Sequence, residues 1–248
     1  MSLPNIQTAY LTKTVLLPIA NKKVKIRPFL AKEEKLMLMM KESQNQSEVA
    51  DIICSVMDAI TFGTLDTKSL SAPDAEVLFL AARCLSKGET SEVTYICRAK
   101  VPDENGEPGA MKTCNTPVPM VIQLDDVKLV TPEGHTKSVR ISGTPFAINF
   151  RYPTISDSYK QTDAEEDPFK SIASLIESVS NVDDGVIYED FTPEELSEFL
   201  DNLPFGFLGE VASQFLTTIP ALSKTIKFKC HSCGHEEEIV VKGLTNFF

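Results

Sequence analysis

The chain has 248 residues, with 24 basic and 35 acidic side chains, a formal net charge of -11 and 42% apolar residues. This balance is typical of an ordinary globular protein and excludes the disordered and fibrous classes. The acidity argues against a general nucleic-acid binder, because phosphate binding needs clustered lysines and arginines.

Two further absences concern membranes and export. The sequence has no stretch of about 18 apolar residues, so we expect no membrane span. Residues 1–10 lack the basic start and apolar core of a secretory signal. We therefore expect the protein to mature in a reducing cytosol, where its six cysteines are thiols or metal ligands rather than disulfides.

Residues 1–91 are predicted to form a β-hairpin and a three-helix block. Residues 14–17 (TVLL) precede a turn at Asn21-Lys22, and after it apolar residues alternate with Lys23, Lys25 and Arg27, which is typical of a half-buried strand. The helices that follow are amphipathic, and Ser47 and Ser71 are placed to cap the second and the third. Glu33 and Glu34, in the first helix, are expected to face solvent.

The apolar pattern changes to a period of two in residues 92–153. Turns rich in proline and glycine divide this region, and the pattern predicts an antiparallel β-meander that carries the first half of a metal site. The strands are expected within 93–97, 120–124, 127–130, 138–141 and 146–152.

Residues 154–221 are predicted to be an acidic helical region that packs back on the N-terminal helices. Residues 169–179 are amphipathic, and a Thr-Pro-Glu-Glu run that begins at residue 192 has the form of a capped helix start. Residues 222–248 are expected to form a hairpin with two cysteines at its tip, followed by an apolar tail. The complete pattern predicts an α+β fold.

Charge is polarised along the chain. Residues 1–41 hold eight basic and two acidic side chains, whereas residues 157–201 hold two basic and 14 acidic ones. The simplest interpretation is that the acids solvate helix faces. The alternative is pairing of the two ends, within one molecule or between copies in a homo-oligomer.

The cysteines form the most chemically specific pattern. Cys230 and Cys233, with Gly234 directly after them, lie between two predicted strands and match the knuckle of a zinc ribbon. Tetrahedral zinc needs four ligands, so one knuckle is half a site. Cys97 and Cys114 are the expected second half, although 16 residues separate them and only strand pairing could bring them together. We therefore predict a structural zinc ion in a zinc-ribbon-like pair of hairpins.

Three alternatives to this site stay open: unlinked reduced thiols, a site that uses His231 or His235, and a redox Cys-x-x-Cys. A redox motif usually lies at the N-terminus of a helix, whereas three glutamates and a predicted strand follow Cys233. Cys54 and Cys84 fall on apolar helix faces and are expected to be core residues.

The sequence contains no recognisable catalytic constellation. Phosphate-loop, dinucleotide-binding and His-Glu-x-x-His motifs are absent, and His135 beside Gly134 is expected to be a solvated turn residue. We therefore predict a protein that is not an enzyme and acts through its surfaces. The Phe-rich C-terminus, 205–248, is the candidate apolar contact surface, with intramolecular core as the alternative.

Four segments of the sequence stand out together. They are 25–35 (KIRPFLAKEEK), 61–63 (TFG), 75–89 (AEVLFLAARCLSKGE) and 230–248, which begins with CHSCG and ends with GLTNFF. In this combination the chain resembles the T4-type bacteriophage baseplate proteins, a family of baseplate hub components and hub-assembly factors. The Arg-Pro-Phe-Leu block with its following acids is the most distinctive part of the resemblance.

The resemblance implies a structural or assembly component of a contractile-tail baseplate, in or near the central hub. It implies a place in the virion tail, assembly in the host cytoplasm and other baseplate, hub and tail proteins as partners. It brings no catalytic residues, and it strengthens the interpretation of Cys230 and Cys233 as a metal half-site. The alternative functions are a zinc-ribbon regulator of transcription or nucleic-acid handling, which the net charge disfavours, and a thiol oxidoreductase.

Overall fold

A computed structural model describes residues 11–43, 45–103, 107, 109–160 and 168–243. These residues form seven α-helices and thirteen β-strands, and every strand pair is antiparallel. The α+β class is therefore confirmed. Residues 244–248 of the predicted apolar tail and the N-terminal 1–10 lie outside the described ranges. None of the described helices combines the length and the apolarity needed to cross a bilayer.

The N-terminal hairpin has the predicted form. Its strands are β1 (Lys13–Leu17) and β2 (Lys22–Ile26), and Asn21 in the connecting turn has a φ of 47°. Asparagine tolerates this left-handed conformation better than most residues. The strands alternate between an exposed face and a buried one, which carries Val15, Leu17, Val24 and Ile26.

Three helices follow the hairpin, and the second and third share its apolar cluster. Ser71 caps the third helix as predicted, because its side chain accepts the N–H of Asp74. The prediction of Ser47 as the cap of the second helix is wrong. Asn45 takes that role, and its side chain accepts the N–H groups of Ser47 and Glu48. The helices are α1 (Ala31–Glu42), α2 (Gln46–Ile60) and α3 (Ala72–Lys87).

A buried ion pair joins the hairpin to α1. The side chain of Glu33 is 1% exposed and that of Arg27 is 6% exposed, and their closest charged atoms are 2.9 Å apart. Glu33 also accepts the N–H of Leu30. The expectation that Glu33 faces solvent is therefore wrong, whereas that for Glu34 is correct, because Glu34 is largely exposed. The alternating pattern placed Arg27 on the outer face, but the strand has ended before it.

The strands predicted in 92–153 are present, but they do not form one meander. The predicted strands, and two further short strands that were not predicted (β4 and β5), pair in different small sheets: β3 pairs with β6, β4 with β5, β7 with the C-terminal hairpin, and β8 with β9. Short strands with one apolar face are stabilised by whichever neighbour covers that face, and sequence order does not decide the neighbour. The strands are β3 (Thr90–Ile96), β4 (Lys100–Pro102), β5 (Met111–Thr113), β6 (Pro117–Gln123), β7 (Lys128–Val130), β8 (Ser138–Arg140) and β9 (Phe146–Phe150).

The region after β9 contains more strand than predicted. The helix expected over 169–179 is α5 only in its first part, and the second part is strand β10, which pairs with β9. The capped helix predicted from residue 192 is confirmed as α6, with a complete capping box. The elements are α4 (Ile155–Lys160), α5 (Pro168–Ala173), β10 (Ile176–Asn181), β11 (Ile187–Tyr188), α6 (Pro193–Asp201) and α7 (Phe207–Gln214).

The C-terminal hairpin consists of β12 (Ala221–Lys229) and β13 (Glu236–Lys242), and β7 pairs with β12 to complete a three-stranded sheet. Four apolar clusters hold the described chain together. The largest two lie under the N-terminal hairpin and between the β8–β11 sheet and helices α5, α6 and α7. In the acidic region, α4 packs on the N-terminal helices, through α2 and α3. The predicted domain boundaries, 1–91, 92–153, 154–221 and 222–248, stay a prediction.

Candidate metal centre

Four cysteine sulfurs meet at one point between two hairpins. The Sγ atoms of Cys97, Cys114, Cys230 and Cys233 all lie within 4.8 Å of one another. The Cys97–Cys233 pair is 3.7 Å apart and the Cys114–Cys230 pair is 3.8 Å apart. A tetrahedron with metal–sulfur bonds of about 2.3 Å has sulfurs roughly 3.8 Å apart, so the donor set has the size that zinc requires. All four are free thiols.

The half of the site formed by Cys230 and Cys233 is the turn between β12 and β13. Here the N–H of Cys230 donates to the carbonyl of His235 at 2.8 Å, and the N–H of Gly234 donates to the carbonyl of Cys230 at 3.0 Å. Gly234 has a φ of 73°, a left-handed conformation that glycine adopts without cost. The turn therefore closes directly after the second cysteine.

The half formed by Cys97 and Cys114 repeats the same hydrogen bonds. The N–H of Cys97 donates to the carbonyl of Thr116 at 3.0 Å, and the N–H of Asn115 donates to the carbonyl of Cys97 at 2.9 Å. Asn115 directly follows the second cysteine and has a φ of 54°. It therefore has a left-handed conformation, like Gly234 at the equivalent position of the other half. The two halves are thus equivalent turns that differ in what lies between their cysteines.

Among the 16 residues between Cys97 and Cys114, those that the structure describes form an inserted hairpin. Strands β4 and β5 pair from Lys100 and Thr113 outward, and the N–H of Cys114 donates to the carbonyl of Ala99 at 2.9 Å. In the other half of the site, only residues 231 and 232 lie between the two cysteines, at the position that the hairpin occupies here. Its closed base returns the chain to its starting point, so a long separation in sequence still brings the two sulfurs together.

Backbone amides point at each sulfur. The residue two positions after each cysteine donates its N–H to that cysteine's Sγ: Ala99, Thr116, Ser232 and His235. Such hydrogen bonds favour the thiolate, which is the metal-binding form of cysteine. Each sulfur therefore has at least one amide donor that favours the charge state a metal needs.

The thiol pKa values diverge because the four groups are so close. The Thr116 hydroxyl and N–H lower the pKa of Cys114 to about 6. The Ala99 N–H lowers that of Cys97, but burial and the neighbouring thiols outweigh it and raise the pKa to about 12. Thiolates at this separation repel one another, so a cation is required to hold all four in the ionised form.

An apolar shell surrounds the sulfurs. Cys97 and Cys230 are completely buried, and Val118 and Phe228 are buried against them. The ring of Tyr95 meets that of Phe228 edge-on, with centroids 4.8 Å apart. Burial of this kind keeps water away from these two sulfurs, whereas Cys114 and Cys233 are partly exposed. A closed set of four thiolates leaves no coordination position for a substrate.

The structure can be compared with the alternatives that the sequence left open for these cysteines. Within the described residues, the potential ligand group at this point contains cysteines only, so neither His231 nor His235 belongs to it. No helix begins at Cys233, because the chain continues into β13. Cys54 is a buried core residue, and burial raises the pKa of its thiol and of the partly buried Cys84 thiol.

Sequence reasoning missed the supporting residues Asn115 and Thr116 and misjudged His135. The signal for Asn115 was its position directly after Cys114, which matches that of Gly234 after Cys233. His135 is half-buried and not a solvated turn residue. Its ring nitrogens contact the hydroxyls of Thr218 at 2.9 Å and Tyr152 at 2.8 Å, and no local pattern could have indicated these distant partners.

Comparison with known proteins extends over almost the whole chain. A protein family described as T4 bacteriophage base plate protein matches residues 9–248. The curated protein "Baseplate hub assembly protein gp26" of Enterobacteria phage T4 is 23% identical over 231 residues, which cover 93% of this chain and 94% of that protein. No solved structure gives a significant match.

Proposed function

The chain belongs to the family of T4 bacteriophage base plate proteins, and from this premise we propose that it helps to assemble the central hub of a contractile-tail baseplate. It would act through protein contacts and carry out no chemical reaction. The observation that supports this most strongly is the length of the match. The hub assembly protein of phage T4 aligns along nearly its full length, so the proposal does not rest on one shared motif.

The direct test is removal of the gene product from the phage. If the proposal is correct, a phage that lacks this protein accumulates unattached tail components, and supplying the wild-type protein in trans restores complete tails. Affinity purification of the tagged full chain from infected cells should recover baseplate or hub proteins. Normal tails without the protein, together with no recovery of these components, would contradict the proposal.

Nucleic-acid handling gains no support as an alternative. Neither the family's description nor the name of the T4 relative refers to nucleic acid. A salt-dependent gel shift with the purified protein would be the observation that revives it.

We also propose that Cys97, Cys114, Cys230 and Cys233 hold a structural zinc ion in a zinc-ribbon-like pair of hairpins. The sulfur separations, the amide hydrogen bonds and the matching turns support this assignment. Zinc would supply the positive charge that four adjacent thiolates need. It would link the base of the β4–β5 hairpin to the C-terminal hairpin, which is about 116 to 136 residues later in the chain. Closing so long a loop costs conformational entropy, which a fixed link would offset.

Elemental analysis of the purified full chain tests the zinc proposal. We expect one zinc per chain in the wild type and in Cys84→Ser, a thiol outside the site, and none in Cys230→Ser. Equal metal content in all three proteins, or a metal-free wild type purified without chelator, would overturn the assignment.

A further inference from the structure

An open apolar groove lies between the β8–β11 sheet and α6. Its walls carry Phe146, Val179 and Tyr188 from three neighbouring strands, and Leu196 and Phe199 from the helix. The cavity volume is about 270 Å³. Cavities of about 150 Å³ hold a benzene molecule, so the groove can admit a large aliphatic side chain.

The edge strand β11 and the turn before it expose further apolar side chains. Ile187 is 58% exposed and Tyr188 is 49% exposed, and Val182 and Val186 beside them are also open to solvent. Tyr188 extends the apolar wall of the groove to the edge of the sheet, whereas Ile187, the preceding residue of the strand, faces the other side of the sheet.

The part of the chain that forms the groove is rich in carboxylates and has no basic side chains beside them. Between Lys170 and Lys224 the sequence has ten acidic residues and no lysine, arginine or histidine. Glu195 lines the groove itself. In the described ranges, none of the acids of residues 183–198 forms a salt bridge within 4.0 Å; they are Asp183, Asp184, Glu189, Asp190, Glu194, Glu195 and Glu198. The groove is therefore suited to an apolar side chain that is flanked by positive charge.

The outer face of the N-terminal hairpin has this complementary chemistry. Leu16 is 50% exposed and lies opposite Lys23, and Thr14 lies opposite Lys25 on the same face. Among the described residues, neither lysine has an acidic partner within salt-bridge distance. The inner face of the hairpin is already packed on α3, so only the outer face is available.

We propose that the outer face of the β1–β2 hairpin of one copy docks in the acidic apolar groove of a second copy of this chain. Leu16 would enter between the sheet and α6, and Lys23 and Lys25 would pair with acids such as Glu194 and Glu198. The contact joins two different surfaces, so each copy keeps one free hairpin and one free groove. Repetition therefore closes a ring or extends a filament.

Sedimentation of the purified full chain over a wide concentration range tests the proposal. We expect self-association that weakens as salt is raised, because the contact depends on exposed charges. Lys23→Glu with Lys25→Glu, and separately Glu194→Lys with Glu198→Lys, should each weaken association by about tenfold or more through like-charge repulsion. Lys68→Glu with Lys128→Glu makes the same charge change at exposed lysines elsewhere and should leave association unchanged.

Mixing the two charge-reversed variants gives the decisive measurement. Together they contain one reversed pair of surfaces and one wild-type pair, so association should be stronger in the mixture than in either variant alone. An unchanged thermal midpoint in each variant checks that folding is intact. A wild type that stays monomeric at high concentration overturns the proposal and leaves the groove to a basic segment of another protein. Association that persists in both variants also overturns it.

Discussion

The N-terminal block and the four-cysteine centre are stabilised in different ways. Thirteen buried residues from the hairpin, α2, α3, α4 and the loop before α3 form the apolar cluster of the N-terminal block. The cluster around the cysteine centre has four buried residues, and two of them are Cys97 and Cys230. A core of that size cannot offset the entropy of ordering its strands, so this region needs a staple, as small domains do. The comparison indicates that the N-terminal block relies on apolar burial, whereas the four-cysteine centre would rely on the proposed metal.

Removal of one cysteine of the proposed site should change the difference in stability between the two regions most strongly. Cys97→Ser takes away a bond to the proposed zinc, whose binding in small zinc domains is worth on the order of 10 kcal/mol. We expect hydrogen exchange to become rapid in β3, β12 and β13 while α2 and α3 keep their protection. Cys84→Ser is the matched control and should change neither region. Equal loss of protection in both regions would show that they are not separate in stability.

The corresponding change in the N-terminal block is Arg27→Ala. It leaves Glu33 buried without its cation, which costs about 3–5 kcal/mol in comparable pairs. Urea denaturation should show this loss, while the zinc content stays at the wild-type value. The control is Glu34→Gln, because Glu34 pairs with Lys87 at the surface at 3.8 Å and such pairs contribute about 0–1 kcal/mol. Similar losses in the two variants would contradict the role of the buried pair.

The left-handed turn of the first half-site permits a more local test. Asn115 has a φ of 54°, so Asn115→Val should cost roughly 1–2 kcal/mol and weaken zinc binding in competition with a chelator. Asn115→Gly accepts the same backbone conformation and should bind zinc as the wild type does. If valine and glycine behave alike at this position, the proposed equivalence of Asn115 and Gly234 is wrong.

The smallest expected effect is on the pH dependence of the free energy of unfolding. Burial acts to raise the pKa of Glu33, but the hydrogen bonds from Arg27 and Leu30 and the nearby positive charges outweigh it and hold the pKa below its usual 4.5. A lowered folded-state pKa stabilises the protein above the unfolded value, and this contribution is lost as the pH falls through the folded value. Glu33→Gln should therefore lose less of its remaining stability than the wild type between neutral and acidic pH. An identical pH dependence in the two proteins would exclude Glu33 as a contributor.

Much of the local structure could be predicted. The alternation around Asn21 indicated the first hairpin, and the Ser71 and Thr192 caps indicated the starts of α3 and α6, because these signals act between residues a few positions apart. The convergence of the four cysteines was also expected, from the Cys230 knuckle and the need of zinc for four ligands. That these sulfurs lie together is a feature of the structure, whereas the bound metal stays a proposal.

Errors arose where distant contacts decide the outcome. Residues 176–179 have an amphipathic pattern that also suits a helix, but pairing with β9 makes them a strand. Glu33 is buried because Arg27 happens to lie beside it after the strand ends. In each case a neighbour from elsewhere in the chain outweighed the local preference.

By itself the sequence determined the positions of most helices and strands, their buried faces, and a cysteine turn suited to half of a metal site. Periodicity and capping depend on neighbours along the chain, so they are present in the sequence directly. Only the tertiary structure decided which strands pair, that the β4–β5 insertion returns Cys114 to Cys97, and that an acidic groove opens beside α6. These features depend on which apolar faces cover one another, and that choice is made by the folded chain as a whole.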